Sequence, residues 1–433
     1  MVEQSSPTTS DFDRNAANLR QEENDMRTLG RLVSGSLLAL AAALGSSGVL
    51  AAPLTFWNGF TGPDRPTIEA LTKDWSDKHP DTPAQMDIEP WDSMLQKLQA
   101  ALGSGEGPDV VAFDSSQLPR YADSGFIQDL TDQVKPGSGL DPSVWSDGLN
   151  TALQFDGKYY AAPMNFATLL MYYNKDIFAK AGIAAPPKTW DEWIADIKKT
   201  TVTGADSTYG LLLPDHETIP NWPILLWANG SDIVKDGKAN LDDPKAVDAL
   251  KLWSGLVVND KISPTGLTGA DADKLFQSGK AAMEITGPWM TNGFTAAGLN
   301  YDVAPIPTGP GGPVTLSNAV VLVINKNTKN LQAALDFVAM WGTKQAQAKI
   351  ANETGFPPLR TDMADGKDLT NPWAVKFAQV VPIAKFNLPG QLNFAQIDSD
   401  VFTPMIQTIT LGKDTPENAA KAANDQLSSL VSQ

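Results

Sequence analysis

The chain alternates short apolar runs with segments in which apolar residues recur at helical spacing. The run "LTFWNGF" predicts a strand, and Ile68, Leu71 and Trp75 then share one face of a predicted helix that starts at Pro66. A second strand, "AQMDIEP", precedes another helical stripe that begins at Met94, and "DVVAF" is a buried third strand. This order of strands and helices predicts a parallel sheet.

Capping and turn signals continue the alternation. "QFDGKYYAAP" carries an Asp156-Gly157 hairpin turn, and "TLLMYYN" after it predicts a strand. Thr189 and Glu192 have the spacing of a capping box, and Asp243 precedes a proline at the start of another apolar stripe. The C-terminal part is mainly helical in pattern. The fold class predicted is therefore α/β.

The stretch "SGKAAMEITGPWMTNGF" combines several of these signals. Gly279 suits the left-handed end of a helix, "AAMEIT" predicts a short strand that ends at Gly287, and Pro288 fits the first position of a new helix. Trp289 would then lie at the carboxyl end of a strand, where open α/β sheets bind ligands. The alternative is a core tryptophan, since buried indoles are common.

Composition limits the chemistry that the chain can carry out. A length of 433 residues favours two domains, and there is no cysteine, which excludes disulfides, thiolate metal sites and cysteine nucleophiles. His79 and His216 are the two histidines, so a histidine-rich metal cluster is excluded. The net charge of −17 makes nucleic acid or an anionic membrane an unfavourable partner.

The N-terminal region predicts export. From Met26, two arginines precede an apolar stretch that is shorter than the ~20 residues that span a bilayer, and small residues follow it. We expect residues 26–51 to be a signal peptide cleaved after Ala51, with residues 1–25 a disordered extension and translation starting at Met26. Without a cysteine to lipidate, we expect a soluble periplasmic protein.

Five segments of the chain, in this order, resemble a known family. They are "GEGPDVVAFD", "GKYYAAPMNFATLLMYYNKDIFAKAGI", "PPKTWDEW", "GKAAMEITGPW" and "ANETGFPPLR". Together they are similar to the family 1 extracellular solute-binding proteins of ABC importers, in particular the sugar and glycerol-phosphate receptors.

The resemblance implies a fold of two α/β lobes, each a mainly parallel sheet flanked by helices, joined by a hinge that the chain crosses several times. The first lobe would comprise residues 52–162 and 318–358, and the second residues 163–317 and 359–433.

The resemblance and the strand-end rule together give a set of candidate ligand-binding residues. In the first lobe and at the hinge these are Asn58, Phe60, Thr61, Trp91, Asp92, Phe113, Asp114, Ser116, Asn165 and Phe166. In the second lobe they are Glu217, Trp222, Trp289, Ser317, Asn318, Gln391 and Asn393. In the maltose-binding branch of the family, the tryptophan matching Trp289 packs on a sugar ring.

Structural roles are the alternative for most of these residues. Trp91, Phe113 and Trp222 could serve local packing, and the Ser, Asn and Gln candidates could be solvated turn residues. The tryptophans on helical stripes are predicted to be core residues, namely Trp75, Trp193, Trp253 and Trp341.

The resemblance implies a receptor without cofactor or metal, a monomer that binds a carbohydrate or polyol and delivers it to a membrane permease. Few arginines remain after signal cleavage, namely Arg65, Arg120 and Arg360, so bidentate capture of phosphate is poorly supported and a neutral ligand is expected. A receptor for glycerol phosphate or a glycerophosphodiester remains an alternative, because lysines or helix N-termini could hold phosphate. A secreted glycoside hydrolase, with two carboxylates about 5–10 Å apart, is the alternative of another class.

Overall fold

The computed structural model describes residues 52–204, 207–363 and 366–431. The predicted signal peptide, residues 26–51, and the extension before it lie outside the described residues. No helix within these ranges is both long enough and apolar enough to cross a membrane.

The described chain alternates strands and helices. The strands are β1 (Leu54–Asn58), β2 (Ala84–Ile88), β3 (Val110–Asp114), β4 (Gln154–Phe155), β5 (Lys158–Tyr159), β6 (Ala162–Thr168), β7 (Leu170–Asn174), β8 (Val234–Lys235), β9 (Lys238–Ala239), β10 (Met283–Thr286), β11 (Tyr301–Ala304), β12 (Thr315–Ile324) and β13 (Ala384–Phe386). The helices are α1 (Arg65–Lys78), α2 (Trp91–Ser104), α3 (Leu118–Asp123), α4 (Asp147–Ala152), α5 (Lys175–Lys180), α6 (Trp190–Thr200), α7 (Trp222–Ala228), α8 (Pro244–Ser254), α9 (Gly269–Gln277), α10 (Thr291–Ala296), α11 (Leu331–Trp341), α12 (Lys344–Thr354), α13 (Pro372–Ala378), α14 (Phe394–Ile397), α15 (Thr403–Thr410) and α16 (Pro416–Val431).

The first sheet begins with the predicted parallel unit. Strand β1 pairs in parallel with β2 on one side and with β3 on the other, and α1 and α2 are the crossovers. Strand β12 then pairs antiparallel with both β3 and β6, and in parallel with β13. The strand–helix–strand–helix–strand prediction is confirmed, and the later strands make the sheet mixed.

The second sheet differs from the expectation of a mainly parallel arrangement. Its order is β10-β7-β11, and both pairings with β7 are antiparallel. Helix α10 connects β10 to β11, which therefore run in the same direction, as a helical crossover requires. Because β7 lies between them, both strand pairings of this sheet are antiparallel. Parallel pairing in this lobe is found among the described residues in isolated bridges, such as Tyr209–Ala281.

The two lobes have separate hydrophobic cores. One core draws its buried residues from positions between Leu54 and Ala167 and between Ala319 and Leu359. The core of the second lobe consists of two clusters, whose residues lie between Leu169 and Leu316 and from Phe377 onward. Strands β6 and β12, paired along their length, carry the chain from one core to the other. The boundaries at 162/163, 317/318 and 358/359 stay predictions.

Local predictions from caps and turns agree with the structure. Asp156 and Gly157 have φ of 49° and 73°, as the two-residue hairpin between β4 and β5 requires. The hydroxyl of Thr189 accepts a hydrogen bond from the N–H of Glu192, whose side chain completes the capping box of α6. The four tryptophans predicted to be core residues are at most 3% exposed: Trp75, Trp193, Trp253 and Trp341.

Candidate functional site

A cavity of about 660 Å³ lies between the two cores and is lined by residues of both lobes. The predicted binding residues that it brings together are Phe60, Thr61, Trp91, Asp114, Asn165, Glu217, Trp222, Trp289 and Asn318. The volume is that of a small-molecule site rather than of a protein interface.

Trp289 lies at the carboxyl end of β10, on the first turn after Gly287. It is half-buried and packs against both hydrophobic cores, with its ring centroid 6.4 Å from that of Phe356. Its indole folds back over Gly287, so that a Cβ on this glycine would stand 1.9 Å from the ring carbon Cζ3. The ring therefore takes up the space in which any larger residue would put its side chain.

Trp91 repeats this arrangement in the first lobe. It begins helix α2, and a Cβ on Gly59, in the loop after β1, would stand 2.0 Å from its Cδ2. Phe60 packs edge-on against the same indole, with a centroid separation of 5.1 Å and an interplanar angle of 73°. Trp222, at the start of α7, packs in the same way on Phe402, 4.9 Å between centroids.

Alternate residues of the two hinge strands line the cavity, and one on each strand is an asparagine. Asn165 and Ala167 on β6 line the cavity, as do Asn318 and Val320 on β12. The side-chain oxygen of Asn165 accepts a hydrogen bond of 3.2 Å from the backbone N–H of Val320. This contact joins the two strands at the point where their register shifts.

Seven acidic residues line the cavity, and together they are called the acidic lining below. They are Asp64, Asp114, Asp215, Glu217, Asp273, Glu284 and Asp398. Among the described lining residues there is no lysine or arginine. The imidazole of His216 is the one basic side chain there, and its Nδ1 lies 2.6 Å from a carboxyl oxygen of Asp215.

Burial raises the pKa of several groups in the acidic lining. The pKa of Asp114 is raised by burial, against hydrogen bonds from Ser116 and Asn318 that favour the charged form. Burial and the nearby charge of Asp114 raise the pKa of Asp398 to about 6. Burial likewise raises the pKa of Asp64 to about 6. Asp114 and Asp398 belong to different lobes, so their repulsion acts across the cavity.

Asp273 and Glu284 form a carboxyl pair within the second lobe. Asp273 lies on α9, Glu284 lies on β10, and the two side chains are hydrogen-bonded. Burial raises the pKa of Asp273 to about 6 and that of Glu284 well above its usual value, and the charge of Asp273 raises the latter further. A hydrogen bond between two carboxyl groups requires a proton on one of them.

Several predicted site residues lie away from the cavity. Phe113 is fully buried and stacks on Tyr121, and Phe166 packs beside Phe386 in the first core. The side-chain oxygen of Asn58 accepts from the N–H of Phe60 at 3.2 Å. For all three, alternation along a strand or a local turn, rather than the cavity, sets the direction of the side chain.

The remaining candidates are polar. Ser317 is buried on β12 on the opposite face from Asn318, and Ser116 lies in the turn after β3. The amide groups of Gln391 and Asn393 both donate to the carbonyl of Leu430. The side chain of Asp92, on helix α2, lies outside the described residues.

The cavity also contains residues that the sequence did not point to. Besides the missed acidic residues, these include Leu95, His216, Phe356, Phe402 and Ile406. Asp398 and Phe402 belong to one turn of π-helix, Asp398–Phe402, between α14 and α15. Among the described residues, no group of three or more His, Asp or Glu side chains is arranged to hold a metal ion.

Comparison with known proteins agrees with the fold. A protein of Brucella abortus (strain 2308), described as a binding protein, is 31% identical over 412 residues, covering 91% of this chain and 96% of that one. The diacetylchitobiose binding protein DasA of Streptomyces coelicolor is 29% identical over 352 residues, covering 75% and 80% of the two chains. An ABC transporter solute-binding protein from Thermotoga lettingae, bound with α-D-tagatose, superposes with a TM-score of 0.79 at 26% identity, covering 88% of this chain and 100% of that one.

The family profile of the bacterial extracellular solute-binding proteins matches residues 61–348, which include β2, β3, β6 and β12 of the first sheet, most of the second lobe and most of the cavity lining. This match covers more than half of the chain. The chain therefore belongs to the bacterial extracellular solute-binding proteins, the receptors of ABC importers.

Proposed function

We propose that this receptor captures a carbohydrate or polyol without negative charge in the cavity between its lobes, and delivers it to a membrane permease. The observation that carries the proposal is the lining itself, which combines the rings of Phe60, Trp91, Trp222 and Trp289 with carboxyl and amide groups. One face of a pyranose is a patch of C–H groups, and an indole that covers it removes apolar area from water at about 25 cal/mol per Å². The hydroxyls need polar partners, since an unpaired one costs about 1–3 kcal/mol.

The positions of the arginines argue against a phosphate ester. Arg65 bonds to Glu69 at 2.6 Å, Arg120 to Gln99, and Arg360 to Asp362 at 2.8 Å. None of the three belongs to the cavity lining. An anion in the cavity would instead face the acidic lining, so a receptor for glycerol phosphate or a glycerophosphodiester is disfavoured.

The relatives support a carbohydrate. One is named as a diacetylchitobiose binding protein, and the Thermotoga lettingae protein was solved with α-D-tagatose.

We also propose that the cavity binds without chemistry. A glycoside hydrolase keeps its two carboxyl groups at least about 5 Å apart so that a sugar or water fits between them. Asp273 and Glu284 are hydrogen-bonded to each other and are too close for that geometry. Incubation with the bound sugar is therefore expected to return it intact, and release of a shorter sugar would support the hydrolase instead.

We further propose that the receptor is exported to the periplasm as a monomer that begins at Ala52. The family is extracellular, which supports export, and the sequence before Pro53 has the pattern of a signal peptide. Intact mass of the exported protein tests this proposal. A species that retains residues 1–25 would contradict it.

A thermal-shift screen tests the ligand class. It would contain mono-, di- and oligosaccharides, polyols and glycerophosphodiesters, because a ligand at 100 times its Kd adds about 2.7 kcal/mol to stability. We expect a carbohydrate or polyol to raise the melting temperature. If glycerophosphodiesters alone raise it, the proposal is wrong.

A further inference from the structure

The charge of the cavity is unbalanced. The acidic lining contains seven carboxyl groups, and the described lining residues offer no lysine or arginine against them. His216 lies beside Asp215, whose other carboxyl oxygen accepts from the N–H of Gly266 at 3.0 Å. The rest of the acidic lining therefore has no protein cation close to it within the cavity.

Two of these carboxyl groups have oxygens that accept no hydrogen bond from the described residues. Glu284 is 2% exposed, and its Oε2 has no hydrogen-bond partner among the described residues. The side-chain carboxyl of Asp398 receives no hydrogen bond from any residue in the described part of the chain, whereas that of Asp114 accepts one of 2.8 Å from the N–H of Ser116. A buried carboxyl oxygen that lacks a protein donor, as Oε2 of Glu284 does, points to a donor supplied by the ligand, and the partly buried carboxyl of Asp398 is open to the same donor.

Hydroxyl groups alone would satisfy these oxygens only in part. A hydroxyl donates one hydrogen bond and leaves the negative charges of Asp114 and Asp398 repelling each other across the lobes. An ammonium group donates up to three hydrogen bonds, offsets both charges, and is also attracted to the faces of aromatic rings such as those of Trp222 and Phe402. It would thus offset the repulsion between Asp114 and Asp398 that acts across the cavity.

We infer that the carbohydrate ligand carries a protonated amine, which Asp114 of the first lobe and Asp398 of the second lobe hold between them. This inference rests on the proposed function, because it names the class of carbohydrate that the same cavity takes. The raised pKa of Asp398 supports it, since burial and the charge of Asp114 oppose ionisation and a cation between the two would favour it.

Sugars that differ only in the substituent at C2 of each ring test the inference. Calorimetry at about pH 7, above the pKa of about 6 of Asp398 and below that of an amino group, would compare glucosamine with glucose and N-acetylglucosamine, and chitobiose with cellobiose and diacetylchitobiose. In each series every ring carries an amine, a hydroxyl or an acetamide at C2. We expect the amine member of at least one series to bind about tenfold or more tightly than its two neutral partners.

A pair of matched variants locates the charge. Asp398→Asn keeps the shape of the side chain and removes its charge, and we expect the affinity for the amine to fall about tenfold or more while that for the neutral partners changes by less than about threefold. Asp400→Asn is the control, because Asp400 is exposed on the same turn and does not line the cavity. It is expected to leave all affinities unchanged.

The outcomes separate this inference from the proposed function. If a neutral sugar binds and every amino sugar binds more weakly, the inference of an amine is wrong, and the proposal of a carbohydrate receptor is still supported. If Asp398→Asn weakens neutral and amino sugars equally, Asp398 acts as a hydroxyl acceptor and the inference is overturned. If no carbohydrate or polyol in the wider screen binds, both proposals fail.

Discussion

The indole of Trp289 lies directly over the Cα of Gly287, with ring carbons Cζ3 and Cη2 at 1.9 and 2.2 Å from where a Cβ would be. Gly287 has φ of −99° and ψ of −176°, an extended backbone that any residue adopts. The requirement for glycine here is therefore steric rather than conformational. Gly59 stands in the same relation to Trp91 at the opposite lobe.

Replacing Gly287 by alanine moves the Trp289 ring without removing it. Because the methyl group and the ring cannot share the same space, we expect Gly287→Ala to lower the affinity for the bound sugar about tenfold or more, as the aromatic face leaves its position. Calorimetry with the sugar found in the thermal-shift screen measures this. Gly255→Ala is the control, since a Cβ there meets nothing within 4 Å. Equal affinities for the two variants would contradict the role of the ring.

Truncating Trp289 tests the same ring by deletion. We expect Trp289→Ala to cost about 2–3 kcal/mol of binding, or about 30- to 150-fold in Kd, through lost apolar contact and poorer positioning of the hydroxyls. Trp193→Ala is the matched core variant, because Trp193 is 0% exposed, and it should cost about 3–5 kcal/mol of stability instead. Melting temperature and affinity are measured on both proteins. A large fall in the melting temperature of Trp289→Ala with unchanged binding would falsify the stacking role.

Strand periodicity explains which candidates at the hinge face the cavity. Asn165 and Ala167 line it on β6, and Phe166 between them points into the first core. On β12 Asn318 lines it, while Ser317 is turned away. Since successive side chains of a strand point to opposite faces, Asn165 and Phe166 could not both face the ligand, and the alternation that was visible in the sequence already implied this.

Of the acidic lining, Asp114 and Glu217 were predicted, but the other five residues could not be predicted in the same way. In the sequence Glu284 is a charged residue within "AAMEIT", and nothing local indicates that Asp273, on another element, will hydrogen-bond to it. Asp398 depends on a turn of π-helix in which the N–H of Thr403 donates to the carbonyl of Asp398, five residues earlier. Pro404 follows and has no N–H to continue the α-helical ladder, which explains the wider turn there but not its contact with the cavity.

The carboxyl of Asp273 makes the stability depend on pH. Its pKa is raised from 3.8 to about 6 by burial, so between these values the folded protein keeps a proton that the unfolded chain has lost. The contribution of this group to the free energy of unfolding therefore falls as pH rises through this window, and stays low above it. We expect the free energy of unfolding of Asp273→Asn, relative to the wild type, to rise by up to about 3 kcal/mol between pH 4 and 6 and then level off.

Asp271→Asn, on the same helix, is the control, because its stability relative to the wild type should change with pH in the opposite direction. The hydroxyl of Thr268 and the ammonium of Lys274 lower the pKa of Asp271, so its stabilising contribution is present above the unfolded pKa and is lost as pH falls. Relative to the wild type, this variant should lose stability as pH rises. Denaturant titrations at several pH values measure both differences. Parallel curves for the two variants would contradict the burial of Asp273.

The separate cores predict that the lobes move as bodies when sugar binds. The buried residues form one cluster in the first lobe and two in the second, Trp289 packs against the first-lobe cluster and one second-lobe cluster, and β6 and β12 carry the chain across. Bending at this hinge would change the separation of the lobes while each core stays packed. Since closure buries the cavity around the ligand, we expect the radius of gyration from small-angle X-ray scattering to fall when the sugar is added to saturation.

Trp289→Ala at the same sugar concentration is the control for this measurement. Its weaker binding should leave most of the variant unliganded at a sugar concentration that saturates the wild type. The radius of gyration of the variant should therefore stay near that of the free protein. It should fall only when the sugar concentration is raised about 30- to 150-fold. Closure that depends on occupancy in this way links the hinge to the aromatic face. An unchanged radius of the saturated wild-type protein would instead mean that ligand enters an already closed cavity, and that the hinge does not act in binding.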